Sequence, residues 1–174
     1  MKDEVLSELR RFNREHMHII WEEAKSGDLD LLEPEERRIA EVMIEHQDEY
    51  FNQFEMADVL SDHEYDPESE TNPFLHVTFH TIVENQLEAR DPIEVYQFYN
   101  SMRKKKVSRH DTIHLIGAIL APLVVSAMRG RAFDLKQYKS LLKRAKAKKP
   151  EKIMEWLERE PDPLNLGDVV DYVE

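Results

Sequence analysis

Apolar residues recur along this chain at three- and four-residue steps, the period of amphipathic helices, and no stretch shows the alternation of a strand. The densest apolar stretch is Ser108 to Arg129, SRHDTIHLIGAILAPLVVSAMR. It is apolar on nearly every side, and a helix that is hydrophobic all round is a buried helix. Ser108 and Asp111 have the spacing of a capping box and fix its start. His110, His114, Gly117, Ala121 and Val124 share one strip of the wheel, and the small residues there let another helix come close beneath two imidazoles. Pro122 removes one ladder hydrogen bond and is expected to bend the helix near Ala118. The run is short for a membrane crossing and contains His114 and Gly117, so it predicts a bundle core.

The same period places a helix over 3–25, stopped at Ser26-Gly27-Asp28, with Val5, Leu9, Phe12, His16, Ile19 and Glu23 on one face. Glu33-Pro34-Glu35-Glu36 opens a second helix that reaches Leu60, with Ile39, Val42, Met43, His46, Tyr50 and Phe54 inward and Glu49 one turn from His46. Residues 61–72 are acidic and poor in apolar side chains, which predicts a surface loop in which His63 has no special role. Asn72-Pro73 starts a third helix whose buried face is Leu75, Phe79, Ile82 and Val83, with His76 and His80 along its edge and Glu84 toward solvent. Asp91-Pro92 precedes a fourth, packed through Ile93, Tyr96, Phe98, Tyr99 and Met102, with Arg103 to Lys106 as a solvated basic end. Beyond Gly130, a basic amphipathic helix over 134–149 is expected to pack against the acidic N-terminal half, and Pro150 begins a last helix. The fold class is all-α, a bundle of about six or seven helices around the helix at 108–129. Residues 1–130 form the bundle core and 131–174 a basic helical extension, whose end is loosely ordered or docked through Val169, Val170 and Tyr172.

Composition narrows the function classes. At 174 residues the chain has the length of one domain. It has no cysteine, so disulfides, thiolate metal sites and cysteine nucleophiles are excluded, and any metal must rest on nitrogen and oxygen. A net charge of −12 argues against nucleic acid as a partner, and no membrane partner is expected. The charged, amphipathic N-terminus lacks an apolar signal core, which makes a cytoplasmic location the expectation. That average hides an asymmetry: residues 1–90 hold 8 basic against 24 acidic side chains, and residues 91–174 hold 16 against 12. Two halves of opposite sign either attract each other or present an acidic and a basic face to a partner.

Two His-x-x-x-His pairs, His76/His80 and His110/His114, carry the sharpest chemical signal. At a spacing of four, both imidazoles stand on one helix face and can reach one ion. About 0.4 such pairs are expected by chance among this many histidines. Both pairs lie on or beside apolar faces, where converging imidazoles need partners, and a metal satisfies all of them together. The candidate ligands are His76, His80, His110 and His114, aided by His46 and Glu49, with Glu84 and Asp111 as further acids. Imidazole with carboxylate suits iron or zinc first, and nickel or copper as well. A catalytic version would use an open metal position, with Glu49 or Glu84 accepting a proton. The competing reading is metal-free: histidines hydrogen-bonded across a core, in an interaction module that binds another protein or its own copy through its charged faces. His-Glu-x-x-His, a Ser-His-Asp arrangement, a phosphate loop and a dinucleotide fingerprint are all absent, and the sequence names no substrate.

Asn72-Pro73-Phe74-Leu75-His76-x3-His80, followed by Glu84-x-Gln86-Leu87, Asp91-Pro92 and His110-x3-His114, resembles a bacterial family known as domain of unknown function 1841. His46-Gln47-Asp48-Glu49-Tyr50 is similar to a further run of that family, and the resemblance covers about residues 10–130. It implies a small soluble bacterial protein and no particular activity. The family pattern has Ala-Glu where this chain has Thr112-Ile113, and a second histidine near Asn52. More loosely, histidines on successive helices look like those of haemerythrin-like and DinB-like metal bundles, an analogy of fold alone.

Overall fold

The structure, a computed structural model, describes residues 2–66, 69–128 and 131–160; the side chains of 2–10, 12 and 128 fall outside that description. Its described residues form an all-α bundle of eight α-helices and two 3-10 turns, with no strand among them. The helices are α1 (Lys2–Ser26), α2 (Pro34–Glu45), α3 (Gln47–Glu55), α4 (Pro73–Ala89), α5 (Ile93–Lys104), α6 (Arg109–Met128), α7 (Leu135–Lys146) and α8 (Ile153–Arg159). They fall into two compact units, one of residues 2–66 and 72–81, the other of 69–71 and 82–160. α4 starts in the first unit and ends in the second without a break.

In the first unit α1 packs on α2 and α3. Gly27, at φ +80°, ends α1 in the left-handed region that favours glycine. The buried face of α1 is Met17, Ile20, Trp21 and Ala24, rather than the face centred on His16 and Ile19. Both stripes have helical spacing, but only one carries Trp21, whose large apolar area decides which side turns inward. Ile19 is exposed, and His16 pairs with Glu36 at 3.3 Å on the surface. Val5, Leu9 and Phe12 lie outside the described side chains. Trp21 donates its indole N–H to Glu55 at 2.7 Å, and Lys25 sits against the same carboxylate, holding it below the usual carboxylate range.

The helix expected from Glu33 to Leu60 is divided at His46 into α2 and α3, which raises the helix count to eight. Its start is as the sequence predicts, with Pro34 at the first position and Glu33 donating its N–H to Glu36 at 3.1 Å. Arg14 is the unexpected member of this unit, an arginine buried to 3% exposure. It donates to the Leu60 carbonyl at 2.8 Å, and its guanidinium lies 5.0 Å from the Tyr65 ring and 5.2 Å from the Phe74 ring. A buried charge needs such satisfaction, and here it ties the 56–66 segment to α1 and α4.

In the second unit α6 is the hub, packed against α5, α7 and α8. Ser108 caps it, accepting the Asp111 N–H at 3.0 Å and donating its hydroxyl to the Asp111 carboxylate at 2.6 Å. The helix runs unbroken through Pro122 to Met128; Gly130, expected as its stop, lies outside the described residues. It is not buried all round: Leu115, Ala118, Pro122 and Val125 form a half-exposed strip. By length and composition Arg109–Ala127 could also cross a membrane, but half of that window is buried within the structure, as in a core helix.

α7 is capped by Asp134, which accepts the Gln137 N–H at 2.8 Å. Its apolar face of Tyr138, Leu142 and Ala145 packs on α5 and α6, from its own half of the chain rather than the acidic N-terminal half. Tyr138 is fully buried and donates to Gln86 at 2.8 Å; burial pushes its hydroxyl above the ordinary tyrosine range. In α5 the buried side chains are Glu94, Val95, Phe98 and Met102, while Ile93 is exposed. Pro92 takes the cap position, and Phe98 and Met102 face inward as the sequence predicts. Lys105, expected in a solvated basic end, donates to the Lys146 carbonyl at 2.9 Å and so closes the C-terminus of α7. The tail with Val169, Val170 and Tyr172 lies outside the described residues.

Two buried charges generate tests of this packing. Arg14→Ala is expected to destabilise the protein by about 3 kcal/mol, and Arg14→Lys by less, because a lysine keeps the charge without the planar fork over two rings. Urea unfolding measures both, and a loss below about 1 kcal/mol for Arg14→Ala would show that the 56–66 segment is held by other contacts. Glu94 lies 3.2 Å from Lys143 and 3.9 Å from Lys139; burial pushes its carboxyl up, but a backbone hydrogen bond and the two lysines outweigh that and leave it below the usual carboxylate range. A lowered carboxylate adds stability above its unfolded pKa and loses it as pH falls through the folded one. Glu94→Gln should therefore cost about 1 kcal/mol at pH 7, and that difference should shrink as pH falls through and below the ordinary carboxylate range in a melting series.

Candidate metal centre

His76 and His80 stand one turn apart on α4, and their stacked rings have centroids 4.6 Å apart. Asn72 fixes the start of that helix, accepting the N–H groups of Phe74 and Leu75, both at 3.1 Å. The sequence placed these histidines on the edge of an apolar face; they lie fully inside, each 3% exposed. α4 is buried on more sides than its expected stripe, with Phe74, Val77, Phe79 and Val83 all in the core and Leu75 and Ile82 only partly covered.

His46 completes a cluster of three. Its ring centroid lies 4.7 Å from that of His76 and 4.4 Å from that of His80, edge-on to both, and it too is 3% exposed. The break between α2 and α3 puts it there, for His46 has φ −106° and ψ 11°, outside the helical region. Its Nδ1 lies 2.8 Å from the Val42 carbonyl oxygen. A carbonyl only accepts, so Nδ1 carries the proton and Nε2 the lone pair. Metal-bound histidines are commonly held in this way, with one ring nitrogen donating to a carbonyl and the other left as donor atom for the ion. His46 and His80 offer ring nitrogens within 4.8 Å of each other, and ligands sharing an ion through bonds of ~2.1 Å lie at most ~4.2 Å apart.

Tyr50 borders the cluster, its ring 5.5 Å from His76 and 6.3 Å from His46. Burial, the Glu49 charge and a hydrogen bond to Glu49 push its hydroxyl above the ordinary range. Glu49 itself is exposed and meets the Tyr50 side chain. Tyr50 is a neighbour that sequence reasoning treated only as core; its place one turn after His46 was the signal.

His110 and His114, in the second unit, have ring centroids 4.2 Å apart and are half-buried. They too offer ring nitrogens within 4.8 Å of each other. His114 lines a cleft of about 310 Å³ with Val107, Asp111, Leu115, Ala118, Pro150 and Met154. Asp111 is exposed and serves as partner of the Ser108 cap. Glu84, expected toward solvent, is buried and ion-paired with Arg109 at the start of α6. An arginine at 109 is what the α4 wheel alone could not anticipate.

The profile of domain of unknown function 1841 matches residues 9–144, well over half of the chain. The chain belongs to that family. The match runs past residue 130 through most of α7, so the basic helix is part of the shared domain. No match is found among curated proteins or among solved structures. All five clustered histidines, the Asn72 cap and the Glu84–Arg109 pair lie within the family's span.

Long-range ¹H–¹⁵N correlation spectra at neutral pH should show the neutral ring of His46 protonated at Nδ1. An Nε2–H tautomer would mean that the Val42 bond is not formed in solution.

Proposed function

We propose that this member of the family binds a transition metal ion through its histidines, with His46, His76 and His80 as the candidate ligands of the first unit and His110 and His114 as a separate candidate pair of the second. The observation that carries the reading is the buried cluster of three imidazoles, with His46 held by Val42 in the tautomer that presents Nε2. Imidazoles that meet at these distances can each give one lone pair to a shared ion. The second pair, with the same spacing on α6, has ring centroids 4.2 Å apart. Imidazole donors suit iron or zinc, and also nickel or copper. Glu49 belongs to this reading as the acid that holds Tyr50 at the edge of the cluster. Glu84 is engaged by Arg109 and is not needed as a ligand.

The test is elemental analysis by mass spectrometry of untagged protein prepared without chelator, beside a His76→Ala/His114→Ala double variant. One equivalent of metal in the wild type, lost in the variant while circular dichroism stays helical, is the expected outcome. A chelator should then lower the melting temperature of the wild type alone, since a ligand at 100-fold its Kd adds about 2.7 kcal/mol of stability. Absence of metal from both proteins after reconstitution with iron(II) and zinc would overturn the proposal and leave the histidines as core scaffolding of a metal-free interaction module.

A further inference from the structure

Two basic runs of the second unit, residues 103–106 and 143–149, hold nine lysines and arginines and no acid. They lie far apart in the chain and meet in space. α5 packs on α7, and Lys105 donates to the carbonyls of Lys146, at 2.9 Å, and Lys148, at 2.5 Å. Glu94 answers Lys143 and Glu160 answers Arg144, whereas Lys104, Lys106 and Lys149 are exposed and have no acidic partner among the described residues. Cations suit helix C-termini, but nine exceed what the ends of α5 and α7 call for. Where the two runs stop, Val107 and Pro150 wall the cleft of about 310 Å³ together with Leu115, Ala118 and Met154. An apolar hollow is thus flanked in the chain by Lys106 and Lys149.

The first unit carries the opposite pattern. Residues 41–66 hold nine acids and no lysine or arginine. Arg11, Lys25 and Arg38 pair with Asp62, Glu55 and Glu41, which leaves six acids in excess. The same stretch exposes Phe51, Met56, Val59 and Leu60, four of the nine large apolar side chains exposed among the described residues. Met56 and Leu60 stand one turn apart, the Leu60 N–H bonded to the Met56 carbonyl at 2.8 Å. Exposed apolar side chains rimmed by charge mark an interaction surface.

We propose that the second unit of one molecule binds the first unit of another, residues 51–60 against the cleft walled by Val107 and Pro150 and the acids of 41–66 against the two basic runs. The faces are complementary both in charge and in apolar character. Nucleic acid fits the basic runs less well. The whole chain carries −12, and the ring beside the runs, Trp156, is already covered by Arg144 at 5.0 Å and Lys148 at 4.7 Å, which leaves no platform for a base. Because the two faces differ, the contact is head-to-tail and joins copies in a ring or a chain. The inference is independent of whether the histidines hold a metal.

Sedimentation velocity on the full-length protein tests it. The mass of the wild type should rise above the monomer with concentration, and the association should weaken at least tenfold between about 50 mM and about 500 mM salt. Lys106→Glu/Lys149→Glu impairs the basic face and leaves the acidic one, and Asp48→Lys/Asp58→Lys does the reverse. Each double variant alone should associate at least tenfold more weakly than the wild type. Their mixture pairs one intact face of each kind, so it should regain wild-type affinity and stop at a one-to-one complex, which a misfolded variant could not do. A wild type that stays monomeric at every concentration, self-association unchanged in both variants, or a mixture that does not associate would overturn the proposal. A monomer that instead binds a labelled oligonucleotide would overturn it as well, and would make a phosphate backbone the occupant of the basic runs.

Discussion

A buried imidazole needs its polar atoms aimed, and that demand shapes the first unit more than any apolar contact does. His46 is inward because the helix predicted through it breaks there, and the break lets the side chain reach back to the carbonyl of Val42 while the backbone N–H of His46 still bonds Val42 and Met43. Had the helix continued, its i, i+4 wheel would have kept His46 in line with Tyr50 and Phe54, but with regular geometry at all three. Instead Tyr50 also leaves helical dihedrals, at φ −120°, and turns its ring toward His46 and His76. Two distorted positions four residues apart therefore surround one cluster.

The buried charges follow the same logic on a smaller scale. Arg14, Glu84 and Glu94 are each taken out of water and each satisfied by partners on a different element: the Leu60 carbonyl and two aromatic faces, Arg109, and the lysines of α7. None is a strong source of net stability, since desolvation offsets much of each attraction. What they fix is register. Removing one partner leaves an uncompensated charge, so the alternative packings in which α1, α4 or α5 rotates by one position are penalised. The oppositely charged halves that the composition shows thus have a local counterpart: Glu94 and the α7 lysines meet within the second half of the chain.

Helix starts were legible in the sequence because they depend on short-range chemistry. Ser108, Asn72 and the Glu33-Pro34-Glu35-Glu36 run act as read, each through a side chain within three residues of the N–H it serves. Which face turns inward was less legible, because that depends on partners far away in the chain. On α1 two stripes compete, and the weight of Trp21 settles it; on α5 Phe98 and Met102 are inward as read, while Glu94 and Val95 are buried where Ile93 was expected. Glu84 looked solvent-facing until Arg109, 25 residues on, supplied the partner that makes its burial affordable. The histidine spacings were legible, and so was the inward direction of His46; the break that places it was not, since no glycine or proline marks it.

Burial separates the five histidines into two kinds, and that difference bears on what the proposed centre does. His46, His76 and His80 sit in the dry interior, where imidazole is confined to a scaffold or ligand role because no solvent reaches it. His114 instead faces a cleft walled by Leu115, Ala118 and Met154, and His110 is half-exposed beside it. A structural ion is enclosed by its ligands on all sides, whereas a catalytic or exchangeable one keeps a position open to water. The first kind would enclose whatever it holds, while the second opens on a cleft that Asp111 also lines. Within the proposed function the buried set therefore suits a structural role and the half-buried pair an exchangeable one.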